Sequence, residues 1–246
     1  MHDVKKPLAL RFDGVVVVVG NYGSGKTEVS VNLAVNQRGI GQRVRIADLD
    51  LVNPYFRTRE AKTPLTALGI EMILPPDQFL QADLPILNPS ISGLIRQPFG
   101  LTILDVGGDD VGATVLSSLS DSFQANSFLK TNKKLRMLQV INPFRPFTET
   151  VQGCLKIKDE IEKASRMKIT GFIGNANLID ETTTEHIDQG YDFVKRVSGE
   201  TRLPVEFITV AENLLPQANI KQFDCPILTI KRQLVPPWKK AASLNC

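Results

Sequence analysis

Residues 15–19 are five consecutive valines, and the run opens directly into Gly20-Asn21-Tyr22-Gly23-Ser24-Gly25-Lys26-Thr27. A β-branched run that is apolar on both faces suits a strand in the middle of a parallel sheet, covered by layers on either side. The segment after it matches G-x-x-x-x-G-K-[ST], a phosphate loop set between a buried strand and a helix. Its glycines let backbone N–H groups converge on phosphate oxygens with no side chain in the way. The following helix N-terminus adds the positive end of its dipole. Gly20, Asn21, Tyr22, Gly23, Ser24, Gly25, Lys26, Thr27 and the adjoining Glu28 are therefore the candidate nucleotide-binding residues. Lys26 is expected to reach the β- and γ-phosphates, and the Thr27 hydroxyl to ligate Mg²⁺.

The rest of the chain alternates short apolar runs with helical periodicity. Residues 43–47, 71–74, 101–104, 137–141, 169–173, 205–210 and 227–230 read as further strands. Residues 27–38, 90–97, 111–122, 148–165 and 184–198 read as helices. Strands alternating with helices predict an α/β fold: one doubly wound, mostly parallel sheet flanked by helices. No Gly-, Ser- or Pro-rich linker cuts the chain, so residues 1–246 are expected to form a single nucleotide-binding domain. A Pro-rich irregular region at 75–98 would be a lid or insertion, and 231–246 a short tail.

Two acidic segments fall at strand ends. In Ala47-Asp48-Leu49-Asp50 the alternation points Asp48 and Asp50 to one side, toward the carboxyl edge where such sheets bind ligands. One carboxylate could hold a metal-bound water and the other orient the water that attacks a γ-phosphate. The apolar strand 101–104 ends in Asp105, followed by Val106-Gly107-Gly108. Asp105 is expected to hold Mg²⁺ through water, with the Gly107 or Gly108 amide sensing the γ-phosphate. Asp109 and Asp110 read as helix-capping residues.

Composition excludes several alternatives. With 42% hydrophobic and 22% charged residues the chain is neither disordered nor low in complexity, and no apolar stretch is long enough to cross a bilayer. The net charge of +3 carries no dense basic stripe, so neither nucleic acid nor a membrane is expected as a partner. Lys130, Lys133, Lys134 and Arg136 read as a solvated loop edge. Cys154, Cys225 and Cys246 form no CxxC pair or disulfide framework, which fits a reducing compartment, and no signal-peptide segment follows Met1. The expected location is the cytoplasm. His2 and His186 are too few for a His-rich metal site, and His186 reads as a surface residue.

Together these segments resemble the MinD/ParA-like (SIMIBI-class) branch of P-loop ATPases, related to the nitrogenase iron protein and metallocentre-insertion ATPases. The resemblance rests on residues 20–27, on Asp48-x-Asp50 with Asn53-Pro54 as a first switch, and on Asp105-x-Gly107-Gly108 as a second. It implies Asp50 as the water-activating catalytic acid beside Lys26, with Thr27, Asp48 and Asp105 at the Mg²⁺. In the second half, Asn175-Ala176-Asn177 and Ala211-Glu212-Asn213 fall where that family reads the base. Asn175 and Glu212 are the residues so implied. Asn177-Leu178-Ile179-Asp180 also resembles the guanine-reading N-K-x-D without its Lys, so ATP is favoured with GTP left open.

The departures matter as much. Many members of that branch carry a second Lys directly after the first glycine of the loop, reaching a partner's nucleotide across a dimer. Here that position is Asn21. Hydrolysis should then be slow, or another cation must substitute, with Arg57, Arg59 and Arg145 as candidates. No paired cysteines could build a cluster between two subunits, and Pro236 and Pro237 interrupt any amphipathic tail helix. Trp238 between these prolines and Lys239 reads as a docked tail residue. The expected function is a Mg-ATP-dependent switch ATPase, slow in hydrolysis. It would act on a protein partner, in metalloenzyme or cofactor-enzyme assembly, and could dimerise with nucleotide. A small-molecule kinase or ligase, with 75–98 as acceptor lid, and a nucleotide sensor with little turnover are the alternatives.

Overall fold

The structure is a computed structural model that describes residues 9–50, 58–74, 89–96, 100–108, 110–124, 134–235 and 241–244. The valine run is strand β1 (Gly14–Val19), every residue of it buried. It pairs in parallel with β4 (Leu101–Val106) on one side and β5 (Leu135–Ile141) on the other. The remaining strands are β2 (Val44–Leu49), β3 (Glu71–Ile73), β6 (Gly171–Gly174), β7 (Val205–Ala211) and β8 (Ile227–Ile230). Among the described residues they form one eight-stranded sheet in the order β3-β2-β4-β1-β5-β6-β7-β8, with every pairing parallel.

Alternation along β1 divides the interior. Val15, Val17 and Val19 enter one apolar cluster, with Leu116, Cys154 and Tyr191 from helices on that face. Val16 and Val18 enter the other, with Val29, Leu33 and Leu65. The second face is covered by α1 (Lys26–Gly39) and α2 (Lys62–Ala67). The first is covered by α3 (Pro89–Arg96), α4 (Asp110–Ser118), α5 (Ser120–Gln124), α6 (Val151–Ser165) and α7 (Thr184–Thr201). Each fully buried valine contributes about 1.5–3 kcal/mol. An aspartate at Val17 would leave an unpaired charge between layers and break the fold.

The doubly wound α/β expectation therefore holds, with local corrections. The helix read over 111–122 is two helices. At Leu119 the N–H bonds back to Leu116 at 3.0 Å, an i→i−3 bond that tightens the turn, and a new helix starts there. The short α2, which contains Pro64, has too few residues for its periodicity to be seen. Of the region 75–98, only 89–96 are described, as α3. Arg136 is no solvated edge: it lies on β5, its guanidinium 4.9 Å from the centre of the Phe12 ring and 3.8 Å from Glu206. His186 caps α7, its Nδ1 accepting the Thr183 N–H at 3.1 Å. Lys130, Lys133, Asp109, Trp238 and Cys246 lie outside the described residues. Among the described residues no helix is long and apolar enough to cross a membrane.

Candidate functional site

Because all strands run one way, their carboxyl ends share one edge, and ligands of such sheets bind there. The loop after β1 is built on three glycines with positive φ, at 146° (Gly20), 73° (Gly23) and 90° (Gly25). A Cβ on Gly20 would lie 2.6 Å from the Val140 carbonyl oxygen, and one on Gly25 2.3 Å from Asn175 Nδ2, so neither tolerates a side chain. Gly25 caps α1 and, having no side chain, leaves the first-turn N–H groups without the usual N-cap acceptor. The loop closes through the Ser24 N–H on the Asn21 carbonyl (3.2 Å), and Lys26 Nζ donates to the same carbonyl at 3.0 Å. The Ser24 hydroxyl oxygen is buried with no hydrogen-bond partner among the described residues.

Asp48 and Asp105 are register partners on β2 and β4. Asp105 is fully buried, with hydroxyl donors around it: Ser30 at 3.2 Å, Thr58 at 2.5 Å, and Thr27. Burial pushes its carboxyl up to about 7. The Asp48 charge adds to this, while the Thr58 and Thr27 hydroxyls and the Lys26 ammonium oppose it. The Asp50 N–H donates to Asp48 Oδ1 at 3.1 Å, which turns the chain so that buried Asp50 faces the cavity above the phosphate loop. Gly108 closes the other side. A Cβ there would meet Lys26 Nζ at 2.7 Å and the Tyr22 amide nitrogen at 2.9 Å. Gly107, just before it, is packed by α4: a Cβ on Gly112 would lie 2.5 Å from the Gly107 carbonyl. Thr58 is the residue that sequence reasoning missed. A lone threonine after an arginine carries no pattern. Asn53, Pro54 and Arg57 lie outside the described residues, as does the side chain of Arg59.

At the far end, β6 and β7 deliver Asn175 and Glu212. The Asn175 amide is committed at both ends: Nδ2 donates to the Ser24 carbonyl at 2.7 Å, and Oδ1 accepts from the Thr209 hydroxyl at 2.5 Å. Asn175 thus ties β6 and β7 to the phosphate loop, and it also lines the cavity. Asn177 Oδ1 accepts from the Ile179 N–H at 2.5 Å and the Thr182 hydroxyl at 3.3 Å. Asp180 and Glu212 line the cavity, paired with Arg232 at 3.0 Å and Lys231 at 3.4 Å. Those cations belong to a strap after β8 that Glu28 holds. Its carboxylate accepts the N–H groups of Gln233 at 2.8 Å and Leu234 at 3.0 Å, and Asn32 Oδ1 accepts that of Lys231 at 2.8 Å. Burial raises the Glu28 pKa, and the Leu234 and Gln233 N–H groups counter it in part. Glu28 therefore turns toward the strap and contributes to the site by closing its wall.

These residues enclose one cavity of about 660 Å³, lined among others by Gly23, Lys26, Asp50, Gly108, Asn177 and Glu212. That is the volume of a site for a mid-sized organic ligand. One end is ringed by glycine amides and a lysine, and the other carries carboxylates and amides.

No family model matches the sequence, and no curated protein matches it. Solved structures do. FtsY of Mycoplasma mycoides superposes with a TM-score of 0.55 at 18% identity, over 82% of this chain and 62% of that one. FtsY of Thermotoga maritima gives 0.54 at 18%, over 85% and 65%. The signal recognition particle 54 kDa protein of Aeropyrum pernix, in complex with GDP, gives 0.50 at 18%, over 83% and 43%. The fold is that of the P-loop NTPases. The chain spans less than two thirds of the length of each of these three proteins, and at this identity the likeness is one of fold.

Proposed function

We propose that the chain is a Mg²⁺-dependent nucleoside-triphosphate switch of one domain that binds ATP, hydrolyses it slowly and acts on a protein partner. The observation that carries the reading is the single cavity joining the phosphate loop to Asp50, Gly108 and the amide- and acid-bearing ends of β6 and β7. The glycine amides and Lys26 would hold the phosphates. Gly108, where a Cβ would press on Lys26 Nζ and the Tyr22 amide nitrogen, leaves the space beside those groups open and fits a phosphate chain lying along the loop.

Thr27, Asp48 and Asp105 would hold Mg²⁺, directly or through water. Hard oxygen donors of this kind suit that cation, and one or two carboxylates suffice when phosphates complete its shell. Bound there, Mg²⁺ would neutralise charge developing on the β- and γ-phosphates. Asp50 would accept a proton from the water attacking the γ-phosphorus, while Lys26 meets the charge that builds on the leaving phosphate oxygens. Loss of the γ-phosphate would release the segments after Asp50 and Gly108, and the partner would read that change, with dimerisation as one form of it. Assembly of a metalloenzyme or cofactor-dependent enzyme is the task suggested by the resemblance to metallocentre-insertion ATPases.

A second reading of the base follows from the acids. Asp180 and Glu212 offer acceptors, which suit the N–H donors of guanine's edge better than adenine's mixed edge. GDP is also the nucleotide named with the Aeropyrum pernix protein. Calorimetric titration of ATP and GTP with and without Mg²⁺, with sedimentation of the same samples, tests the whole. Mg²⁺-dependent binding with a monomer-to-dimer shift supports the switch. Binding without change of mass, together with a metabolite that becomes phosphorylated, would replace it with a kinase; absence of binding by either nucleotide ends the proposal.

A further inference from the structure

The loop between β5 and α6 crosses the phosphate loop and is locked in place. The Arg145 N–H donates to the Asn142 carbonyl at 3.2 Å, and the Thr148 N–H to the Arg145 carbonyl at 3.1 Å. The Thr148 hydroxyl donates to the Asn142 carbonyl at 2.6 Å. Asn142 is itself anchored, its Nδ2 donating to the Asn177 carbonyl at 2.8 Å. Phe147 takes φ 70°, a left-handed conformation that a bulky residue adopts only when its surroundings enforce it. The tie to the phosphate loop is Asn21, whose Nδ2 donates to the Pro146 carbonyl at 2.8 Å.

This scaffold hangs Arg145 over the middle of the phosphate loop. A Cβ on Gly23 would lie 3.8 Å from Arg145 Cδ and 3.9 Å from its Nε. Arg145 lines the main cavity, and its Nε is buried with no hydrogen-bond partner among the described residues. A guanidinium stays charged at any accessible pH, and a buried N–H without an acceptor costs free energy. Among the described residues no carboxylate pairs with this guanidinium, so the cation over the phosphate loop is left for an acceptor on a ligand. Its surroundings name the acceptor's chemistry: the adjoining wall is glycine backbone with Lys26, so the missing group is an anionic oxygen.

We propose that Arg145 is a phosphate-binding residue of the same chain, its guanidinium donating to a phosphate oxygen of the bound nucleotide. Asn21 is the positioning residue that seats the arginine loop on the phosphate loop. The proposal rests on the nucleotide-binding reading above. It names the cation that serves the phosphates where Asn21 stands at the second loop position.

The test is calorimetry of Mg-ATP, Mg-GTP, ADP and GDP against the full chain and its variants Arg145→Ala, Arg145→Lys, Asn21→Ala and the double Asn21→Ala/Arg145→Ala. Arg145→Ala should weaken the nucleotide that the wild type prefers by about 10- to 100-fold, the scale of one charge-assisted hydrogen bond, with no drop in melting temperature. Arg145→Lys keeps the charge and stem but not the fork, so it should lose less; it also carries the test should Arg145→Ala fail to fold. Asn21→Ala should weaken binding alone and add nothing in the double variant, a coupling that a merely structural asparagine would not give. Unchanged affinity in both Arg145 variants, while Lys26→Ala abolishes binding, overturns the proposal and leaves the nucleotide reading intact. A wild type that binds no nucleotide overturns both.

Discussion

Glu28, on the first turn of the helix that follows the phosphate loop, accepts the backbone N–H of Leu234 at 3.0 Å, across 206 positions of sequence. With the Gln233 N–H on its other oxygen and Asn32 on the Lys231 N–H, it clamps the strap that walls the cavity. Helix α1 thus both caps the phosphate loop and carries the far wall of the same site. Glu28→Ala should cost about 1–3 kcal/mol, the penalty of buried donors left without an acceptor. Limited proteolysis should then cut within 231–235 faster than in the wild type. An unchanged digestion pattern would show that the strap holds without the clamp.

Asp105 makes stability fall as pH rises. Its carboxyl is raised from 3.8 to about 7, so between these values the folded chain keeps a proton that the unfolded chain has released. The associated stability is full below the unfolded value and is lost as pH climbs through about 7. Glu28, also raised, acts in the same sense. Asp105→Asn should therefore melt higher than the wild type at pH 8 without nucleotide, and flatten part of the slope between pH 4 and 7. It should also lose Mg²⁺-dependent nucleotide affinity. Equal melting temperatures at pH 8 would count against a buried charge at this position.

Asn175 bridges the Ser24 carbonyl and the Thr209 hydroxyl. Asn175→Ala strands both groups in the interior and should destabilise the protein by about 2–4 kcal/mol. Asn175→Asp should do comparable damage, because a carboxylate cannot donate to the Ser24 carbonyl. Chemical denaturation measures both. Loss of base discrimination with full stability in either variant would make Asn175 a base reader rather than a brace.

Lys26 and Asp50 should separate binding from turnover. Lys26→Ala removes the loop's buried cation and should abolish nucleotide affinity, by about 100-fold or more, with the fold intact. Asp50→Ala should bind normally and lose hydrolysis by about 10²- to 10⁴-fold, the span of a general base. Titration and phosphate release on the same preparations read the two effects. Undiminished turnover in Asp50→Ala would move the base elsewhere in the cavity.

The α/β fold was legible because it is written in short-range pattern. Five valines between glycines dictate a strand apolar on both faces, and the assignment of Val15, Val17 and Val19 to one layer and Val16 and Val18 to the other follows from alternation alone. The clustering of residues 20–27, Asp48, Asp105, Asn175 and Glu212 at one edge also follows, since parallel strands all end on the same side. What alternation cannot encode is which loop meets which. Thr58 finds Asp105 over 47 positions, Asn21 finds Pro146 over 125, and Asn175 finds Ser24 over 151. These contacts depend on the order β3-β2-β4-β1-β5-β6-β7-β8, which sets strand neighbours independently of sequence distance. The sequence by itself determined the layers and the chemistry carried to the edge. Only tertiary structure decided that Asn175 braces the loop, that Glu28 clamps the strap and that Arg145 overhangs Gly23, because a hydrogen bond needs its partner within about 3 Å and only strand order brings these loops that close.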